Sequence, residues 1–247
     1  MKKGDIVKLG RIKFKVKDFR TDSVMANLDN HRKASCSPVK SPSKHGQTIQ
    51  DDDYWVGGDD FSEEAIEIDC GVVDVSQTEI QCKVCWTNEQ TPSNPLLNSC
   101  KCDGSVRFIH YECLKYWLKQ KMHKKEEAGV ISYSWKQFEC EICKKPYPYI
   151  FRSNGRKYRL VDVDVPEEKN FIWLESLTFE KNSSRMVHLV MPNEEKNCFK
   201  LGRGHESDVR VSDISVSRTH AILKYESDHQ FYLEDNLSKF GTLVLAK

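Results

Sequence analysis

The sequence predicts a multidomain chain: a small, metal-stabilised α+β finger, an all-β sandwich, and a disordered linker between the finger and an N-terminal β-hairpin. Three observations lead there. Seven of the ten Cys fall between Cys82 and Cys143, mostly as close pairs. Short β-rich runs recur after residue 158. A long polar stretch before residue 79 lacks the apolar content to form a core.

The chain has 247 residues, enough for one to two domains. Apolar residues make up 38% and charged residues 30%, which favours small domains joined by polar polypeptide. The formal net charge of +1 gives no general pull toward nucleic acid, and none is expected as a partner. The basic stretch from Lys115 to Lys125 reads as the solvated face of a helix. No apolar run approaches the roughly 20 residues that span a bilayer. The start, Met1-Lys2-Lys3-Gly4-Asp5, lacks the apolar stretch of a secretory signal. The expectation is a soluble protein inside the cell, cytoplasmic or nuclear, where clustered Cys bind metal rather than form disulfides.

Residues 1–20 read as a β-hairpin. Ile6 to Leu9 alternates, Gly10 turns the chain, and Ile12, Phe14 and Val16 share one face. Residues 21–78 read as a disordered linker, rich first in Ser, Pro and Lys and then in Asp and Glu. Residues 79–148 hold the Cys/His cluster. Residues 158–247 carry the β-rich runs Phe171–Leu174, Met186–Val190, Cys198–Leu201, Ala221–Tyr225 and Phe231–Leu233, with turn signals such as Pro192-Asn193 and Ser227-Asp228 between several of them. That is the pattern of a β-sandwich.

The cluster begins with Cys82-x2-Cys85, followed after fourteen residues by Cys100-x-Cys102. Seven residues later comes His110-x2-Cys113, and after twenty-six more Cys140-x2-Cys143. Eight soft or borderline donors suit two tetrahedral zinc ions, and closed four-donor sites are structural. This order and the residues around it resemble the RING-CH family of ubiquitin ligases. The resemblance rests on Ser99-Cys100-Lys101-Cys102-Asp103-Gly104-Ser105-Val106-Arg107-Phe108-Ile109-His110, on Glu112-Cys113-Leu114-Lys115-Tyr116-Trp117-Leu118 and on Cys140-Glu141-Ile142-Cys143-Lys144. It implies cross-braced pairing, with Cys82, Cys85, His110 and Cys113 on one Zn2+ and Cys100, Cys102, Cys140 and Cys143 on the other. A PHD finger, which also uses seven Cys and one His, is the rival; Phe138 occupies the aromatic position that family places before its last Cys pair. A RING-type ligase holds a ubiquitin-charged conjugating enzyme in a reactive pose, which is catalysis by positioning. By resemblance, Val84 and Trp117 form the docking surface for that enzyme and Lys144 supplies a contacting cation; no residue of the chain is itself catalytic.

From Phe199 a second set of motifs follows: Gly202-Arg203, then Ser217-Arg218-Thr219-His220, then Asn236-Leu237-Ser238-Lys239-Phe240-Gly241-Thr242. These resemble the forkhead-associated (FHA) family, β-sandwiches whose loops bind phosphothreonine. The resemblance implies that Arg203 and Ser217 bind phosphate, that Arg218 and Lys239 flank it, and that His220 braces the loop. A phosphate dianion needs such charge-assisted donors on a rigid frame. Phe240 stands where the family carries Asn, which removes a polar contact to peptide backbone.

Such domains continue for two strands beyond the Gly-Thr turn, whereas this sequence ends five residues after it. Residues 3–17 have the pattern of those strands. The expectation is either that the N-terminal hairpin completes the C-terminal sandwich, or that it is the tail of an upstream domain in a longer protein. Two functions are then weighed. In one, the chain is a RING-type E3 ubiquitin-protein transferase that recruits phosphothreonine-containing targets. In the other, it is a non-enzymatic phosphopeptide-binding adaptor with a structural zinc finger.

Overall fold

The structure, a computed structural model, describes residues 1–21, 66–67, 80–153, 156–167, 169–177 and 184–245. Its strands are β1 (Ile6–Leu9), β2 (Ile12–Arg20), β3 (Ile66–Glu67), β4 (Leu96–Leu97), β5 (Ile109–His110), β6 (His123–Glu127), β7 (Val130–Trp135), β8 (Ile150–Ser153), β9 (Arg156–Arg159), β10 (Phe171–Ser176), β11 (Arg185–Val190), β12 (Cys198–Gly202), β13 (Val209–Arg210), β14 (Ala221–Tyr225), β15 (Phe231–Asp235) and β16 (Thr242–Leu245). Among the described residues one α-helix, α1, spans Tyr111–Lys119. All five β-rich runs read from the sequence fall on strands. The linker expected over 21–78 lies outside the described residues, apart from Thr21 and the short β3, which pairs in parallel with β8.

A seven-stranded sheet organises the molecule, in the order β16-β1-β2-β10-β11-β7-β6. The hairpin β1–β2 sits at its centre-left. β1 pairs antiparallel with β16, Val7 opposite Val244, and β2 pairs antiparallel with β10, Phe14 opposite Ser176. The N-terminal residues thus bridge strands that lie more than 150 positions later in sequence. A second sheet, β13-β12-β14-β15, faces the first. Between them lie Val7, Leu9, Phe14, Val16, Ile172, Leu174, Val190, Phe199, Leu201, Val209, Ala221, Leu223 and Phe231, one buried apolar cluster.

At the other end of the large sheet, the chain departs from the sequence reading. Residues 123–135 fall within the span assigned to the finger, yet they form the hairpin β6–β7, and β7 pairs along its whole length with β11. The long gap between Cys113 and Cys140 is therefore spent on extending the sandwich. At the hairpin tip Gly129 adopts φ +84°, and a side chain there would stand 2.9 Å from the Met191 carbonyl.

The large sheet is consequently covered on both sides. Alternate residues of a strand point to opposite faces. Ile172 and Leu174 belong to the sandwich interior, whereas Phe171 and Trp173 join a second apolar cluster with Ile131, Tyr133, Trp135, Val187 and Leu189. That cluster also contains Leu96, Leu97, Ile109, Leu114, Leu118, Cys82, Cys102 and Cys140 of the finger. Every residue of β10 is buried, which is why its first four, Phe171–Leu174, read as a continuous apolar run and not an alternating one.

The helix α1 buries Tyr111, Leu114 and Leu118, one stripe at helical spacing, against this wall. Glu112 in its first turn and Lys119 in its last match the helix dipole. Residues 156–165 strap the helix from outside. Tyr111 Oη donates to the Arg159 carbonyl at 2.6 Å, Tyr158 Oη donates to the Pro92 carbonyl at 3.0 Å, and Lys115 and Lys119 pair with Asp162 and Asp164. Within the sandwich, His188 is 3% exposed and its Nδ1 meets Ser132 Oγ at 2.8 Å. Burial pulls its pKa down to about 4, so the ring is neutral at pH 7.

Candidate metal centres and phosphate-binding loops

Two four-donor groups stand in the finger. Cys82, Cys85, His110 and Cys113 form one, and Cys100, Cys102, Cys140 and Cys143 form the other; within each group all donor atoms lie within 4.8 Å of one another. The groups interleave along the chain, so each ties together segments that are distant in sequence. Two knuckles position the first and last pairs. In the first, Trp86 N–H donates to the Cys82 carbonyl at 2.9 Å and Cys82 N–H to the Thr87 carbonyl at 2.9 Å. In the last, Lys144 N–H donates to the Cys140 carbonyl at 2.9 Å and Cys140 N–H to the Lys145 carbonyl at 2.8 Å. Trp86 and Lys144 both take positive φ, +62° and +56°, so the two turns share one geometry.

The donor chemistry fits zinc. Cys102 and Cys140 sulfurs are 3.6 Å apart, too far for a disulfide and near the roughly 3.8 Å edge of a tetrahedron with Zn–S of about 2.3 Å. His110 Nδ1 sits 3.1 Å from Cys85 Sγ, and its Nε2 meets the Glu89 carbonyl at 2.8 Å. That outer bond puts the proton on Nε2 and leaves Nδ1 as the donor atom. Val84 and His110 backbone N–H groups both point at Cys82 Sγ at 3.4 Å. Burial pushes the Cys100 and Cys113 thiols up to about 12. Hydrogen bonds from Thr87 pull Cys85 down to about 6. At Cys140 burial is outweighed by backbone hydrogen bonds at Cys143 and Ile142, which pull it down to about 6 as well. A bound cation would turn the remaining thiols of each set into thiolates.

Among the residues expected at a docking surface, Val84 is 47% exposed on the first knuckle. Trp117 lies half-buried at the edge of α1, edge-on to Tyr147 with ring centroids 6.4 Å apart, and Lys121 Nζ stands 3.8 Å over its ring. Lys144 is exposed on the last knuckle. The structure adds two residues the sequence reading passed over: Trp86, 70% exposed, and Ile142, 58% exposed. Their position inside or just after a Cys-x2-Cys knuckle was the available signal, because knuckle side chains have no core to enter.

The FHA-like motifs converge on one end of the sandwich. Arg203 N–H donates to the Ser217 carbonyl at 3.0 Å and Gly204 N–H to the Arg218 carbonyl at 2.9 Å. Ser217 Oγ accepts from Lys239 N–H at 3.1 Å, which leaves the hydroxyl proton available. His220 is fully buried; its Nδ1 accepts from Ser217 N–H at 3.0 Å and its Nε2 meets the Gly241 carbonyl at 3.1 Å. Arg203, Arg218 and Lys239 are exposed around this loop. Phe240 is also exposed, with Lys239 Nζ 5.4 Å from its ring.

The tip of the N-terminal hairpin abuts the same loop. Arg11 N–H donates to Ser215 Oγ at 2.9 Å, and its guanidinium pairs with Asp213 at 3.1 Å. Hydrogen bonds from Ser215, with the Arg11 guanidinium adding to them, hold the Asp213 carboxyl below its ordinary range. Gly10 has φ +58°, and a Cβ there would fall 2.4 Å from Ser215 Oγ and 2.5 Å from the Ser215 carbonyl oxygen. Gly10→Val should therefore lower the melting temperature by about 10 °C, the effect of roughly 2 kcal/mol on a domain of this size. Gly241→Val is the control. It has φ +70° but nothing within 4 Å, so it should carry the backbone strain alone and melt several degrees above Gly10→Val.

Comparison with known proteins agrees with both sets of motifs. The RING-variant domain family matches residues 82–143, and the FHA domain family matches residues 199–246. The probable E3 ubiquitin-protein ligase MARCHF10 of Homo sapiens is 42% identical over 64 residues, 26% of this chain and 7% of its own length. The E3 ubiquitin-protein ligase MARCHF7 of Rattus norvegicus is 27% identical over 140 residues, 56% of this chain and 18% of its own. The E3 ubiquitin-protein ligase MARCHF6 of Mus musculus is 38% identical over 77 residues, 31% of this chain and 7% of its own. The chain thus spans less than a fifth of the length of these relatives. None of its described helices is long and apolar enough to cross a membrane.

Proposed function

We propose that this chain, which carries a RING-variant finger and an FHA domain, is a RING-type ubiquitin ligase that selects phosphothreonine-containing targets. The observation that carries the reading is the pair of interleaved four-donor groups inside a segment matched by the RING-variant family. Relatives named as E3 ubiquitin ligases share that segment.

In this reading Cys82, Cys85, His110 and Cys113 hold one zinc ion and Cys100, Cys102, Cys140 and Cys143 the other. Each ion, bound by four protein donors, supplies structural rigidity and no open position for water. The work is done by surface. Val84 on the first knuckle and Trp117 on α1 offer apolar contact to a conjugating enzyme, and Lys144 offers a cation at the rim. Holding the ubiquitin thioester in one pose raises the chance of attack by lysine without any group of this chain touching the reacting atoms.

Target capture falls to the sandwich. Arg203 and Ser217 contact phosphate, Arg218 and Lys239 flank it, and His220, locked by two hydrogen bonds, keeps Ser217 in place. Two pieces of chemistry support this: guanidinium and hydroxyl donors on a rigid loop suit a dianion, and the flanking cations add long-range attraction.

The test is ubiquitin discharge from a panel of conjugating enzymes, with phosphothreonine peptide binding measured beside it. Val84→Ala and Trp117→Ala should each cut discharge at least about tenfold while zinc content stays at two ions, a loss of about 1.4 kcal/mol of docking. Arg203→Ala should abolish phosphopeptide binding and leave discharge onto free lysine unchanged. No discharge with any enzyme contradicts the ligase reading and favours a binding adaptor.

A further inference from the structure

The finger and the sandwich are built as one body, and this has a consequence for which lysines can be modified. Three independent connections lock them. The first is covalent and hydrogen-bonded: β7 leaves the finger segment and runs antiparallel along β11 from Val130 to Trp135. The second is apolar. Leu114 and Leu118 of α1 share one buried cluster with Trp173, Val187 and Leu189 of the sandwich sheet. The third is a cation–aromatic contact: the Arg185 guanidinium of β11 stands 4.0 Å above the ring of Tyr149, just past the last Cys pair. A flexible tether between two binding modules samples many separations. A shared sheet buried on both faces permits one.

We propose that the chain acts as a ruler: the fixed geometry between its phosphate-binding loop and its docking knuckles confines ubiquitin transfer to lysines at a set offset from the captured phosphothreonine. This rests on the function proposed above. The phosphate loop around Ser217 is fixed to the sandwich by His220 and by Arg11 on the N-terminal hairpin. The knuckles around Val84 and Lys144 are fixed by the metal-binding groups. No described hinge separates the two ends. An extended target peptide advances about 3.3 Å per residue, so three residues move an acceptor amine about 10 Å. Displacements far smaller than that reduce rates by large factors in positioned reactions. The substrate class is therefore a phosphothreonine segment with a lysine inside a narrow window, on an extended or rigid stretch of the target.

The experiment uses the full, zinc-loaded chain. A degenerate phosphothreonine peptide library carries a single lysine, placed at successive offsets on either side of the phosphothreonine. Transfer is read by mass spectrometry with a conjugating enzyme chosen for discharge onto free lysine. The expected result is a window of a few offsets favoured at least about tenfold over the rest, lost when Arg203→Ala removes capture. Amide 15N relaxation on the same protein should give one tumbling time for residues of the finger and of the sandwich. Efficient discharge onto free lysine with a flat offset profile, or two separate tumbling times, overturns the ruler and leaves the ligase reading standing. No discharge onto free lysine overturns the ligase reading, and the ruler falls with it.

Discussion

Chelating the metal from the reduced protein should unfold the finger and expose the outer face of the sandwich sheet with it. Each closed zinc site contributes on the order of 10 kcal/mol to a folded finger at neutral pH, while a whole domain is stable by about 5–15 kcal/mol. The finger cannot make up the loss from its own core, since its buried apolar residues are few (Leu96, Leu97, Ile109, Tyr111, Leu114, Leu118, Phe138 and Tyr147) and α1 rests on the sandwich sheet. The effect should spread further than in a freestanding finger. Phe171, Trp173, Val187 and Leu189 lie under it, and their exposure would open an apolar patch on the sandwich. Circular dichroism should show loss of the α1 signal, and a hydrophobic dye should bind. The sandwich itself should survive at a lower melting temperature, because its second face still packs on Val7, Phe14, Phe199 and Leu223. A zinc-free protein that melts like the loaded one would rule out the shared wall.

Removing residues 1–20 should abolish the sandwich as a folded unit. The deletion takes Val7, Leu9, Phe14 and Val16, each at most 2% exposed. At about 1.5–3 kcal/mol per buried apolar side chain, the loss is about 6–12 kcal/mol, comparable to the stability of the domain. It also strips β16 of its hydrogen-bonded neighbour and β10 of one of its two. Phosphothreonine binding should disappear although none of Arg203, Ser217, Arg218 and Lys239 is deleted. A separate peptide of residues 1–20, added in excess, should restore part of the melting transition. A truncated chain with an unchanged melting temperature would show that the hairpin is dispensable.

Much of this molecule was legible in its sequence because its parts are marked by chemistry. Cys and His at gaps of one or two residues point to a metal site whatever surrounds them, and the structure places all eight together in two four-donor groups. The β-rich runs of the sandwich were equally plain. The position of the hairpin β1–β2 was suggested only by a motif out of order, since nothing local in Ile6–Leu9 specifies a partner some 240 positions away. The hairpin β6–β7 was not legible at all. His123 to Glu127 is entirely exposed and polar, so it lacks the alternation that marks a strand, and its pairing is set by β7. Val130 to Trp135 was hidden for another reason. Ile131, Tyr133 and Trp135 enter the finger-side cluster and Val130 the sandwich interior, while Ser132 and Ser134 are half-buried, and the run lay inside the span assigned to the finger. Trp86 and Ile142 were passed over because exposure at a knuckle is a property of the turn and not of the residue type.

Two metal ions bound in interlocked fashion underlie both the finger's fold and its proposed function, and native mass spectrometry of the reduced protein tests them most directly. The predicted spectrum shows two zinc ions per chain, falling to one with Cys140→Ser and to one with Cys82→Ser, through different sites. A chain that retains its fold with no bound zinc, or one in which these cysteines are joined as disulfides, would contradict it.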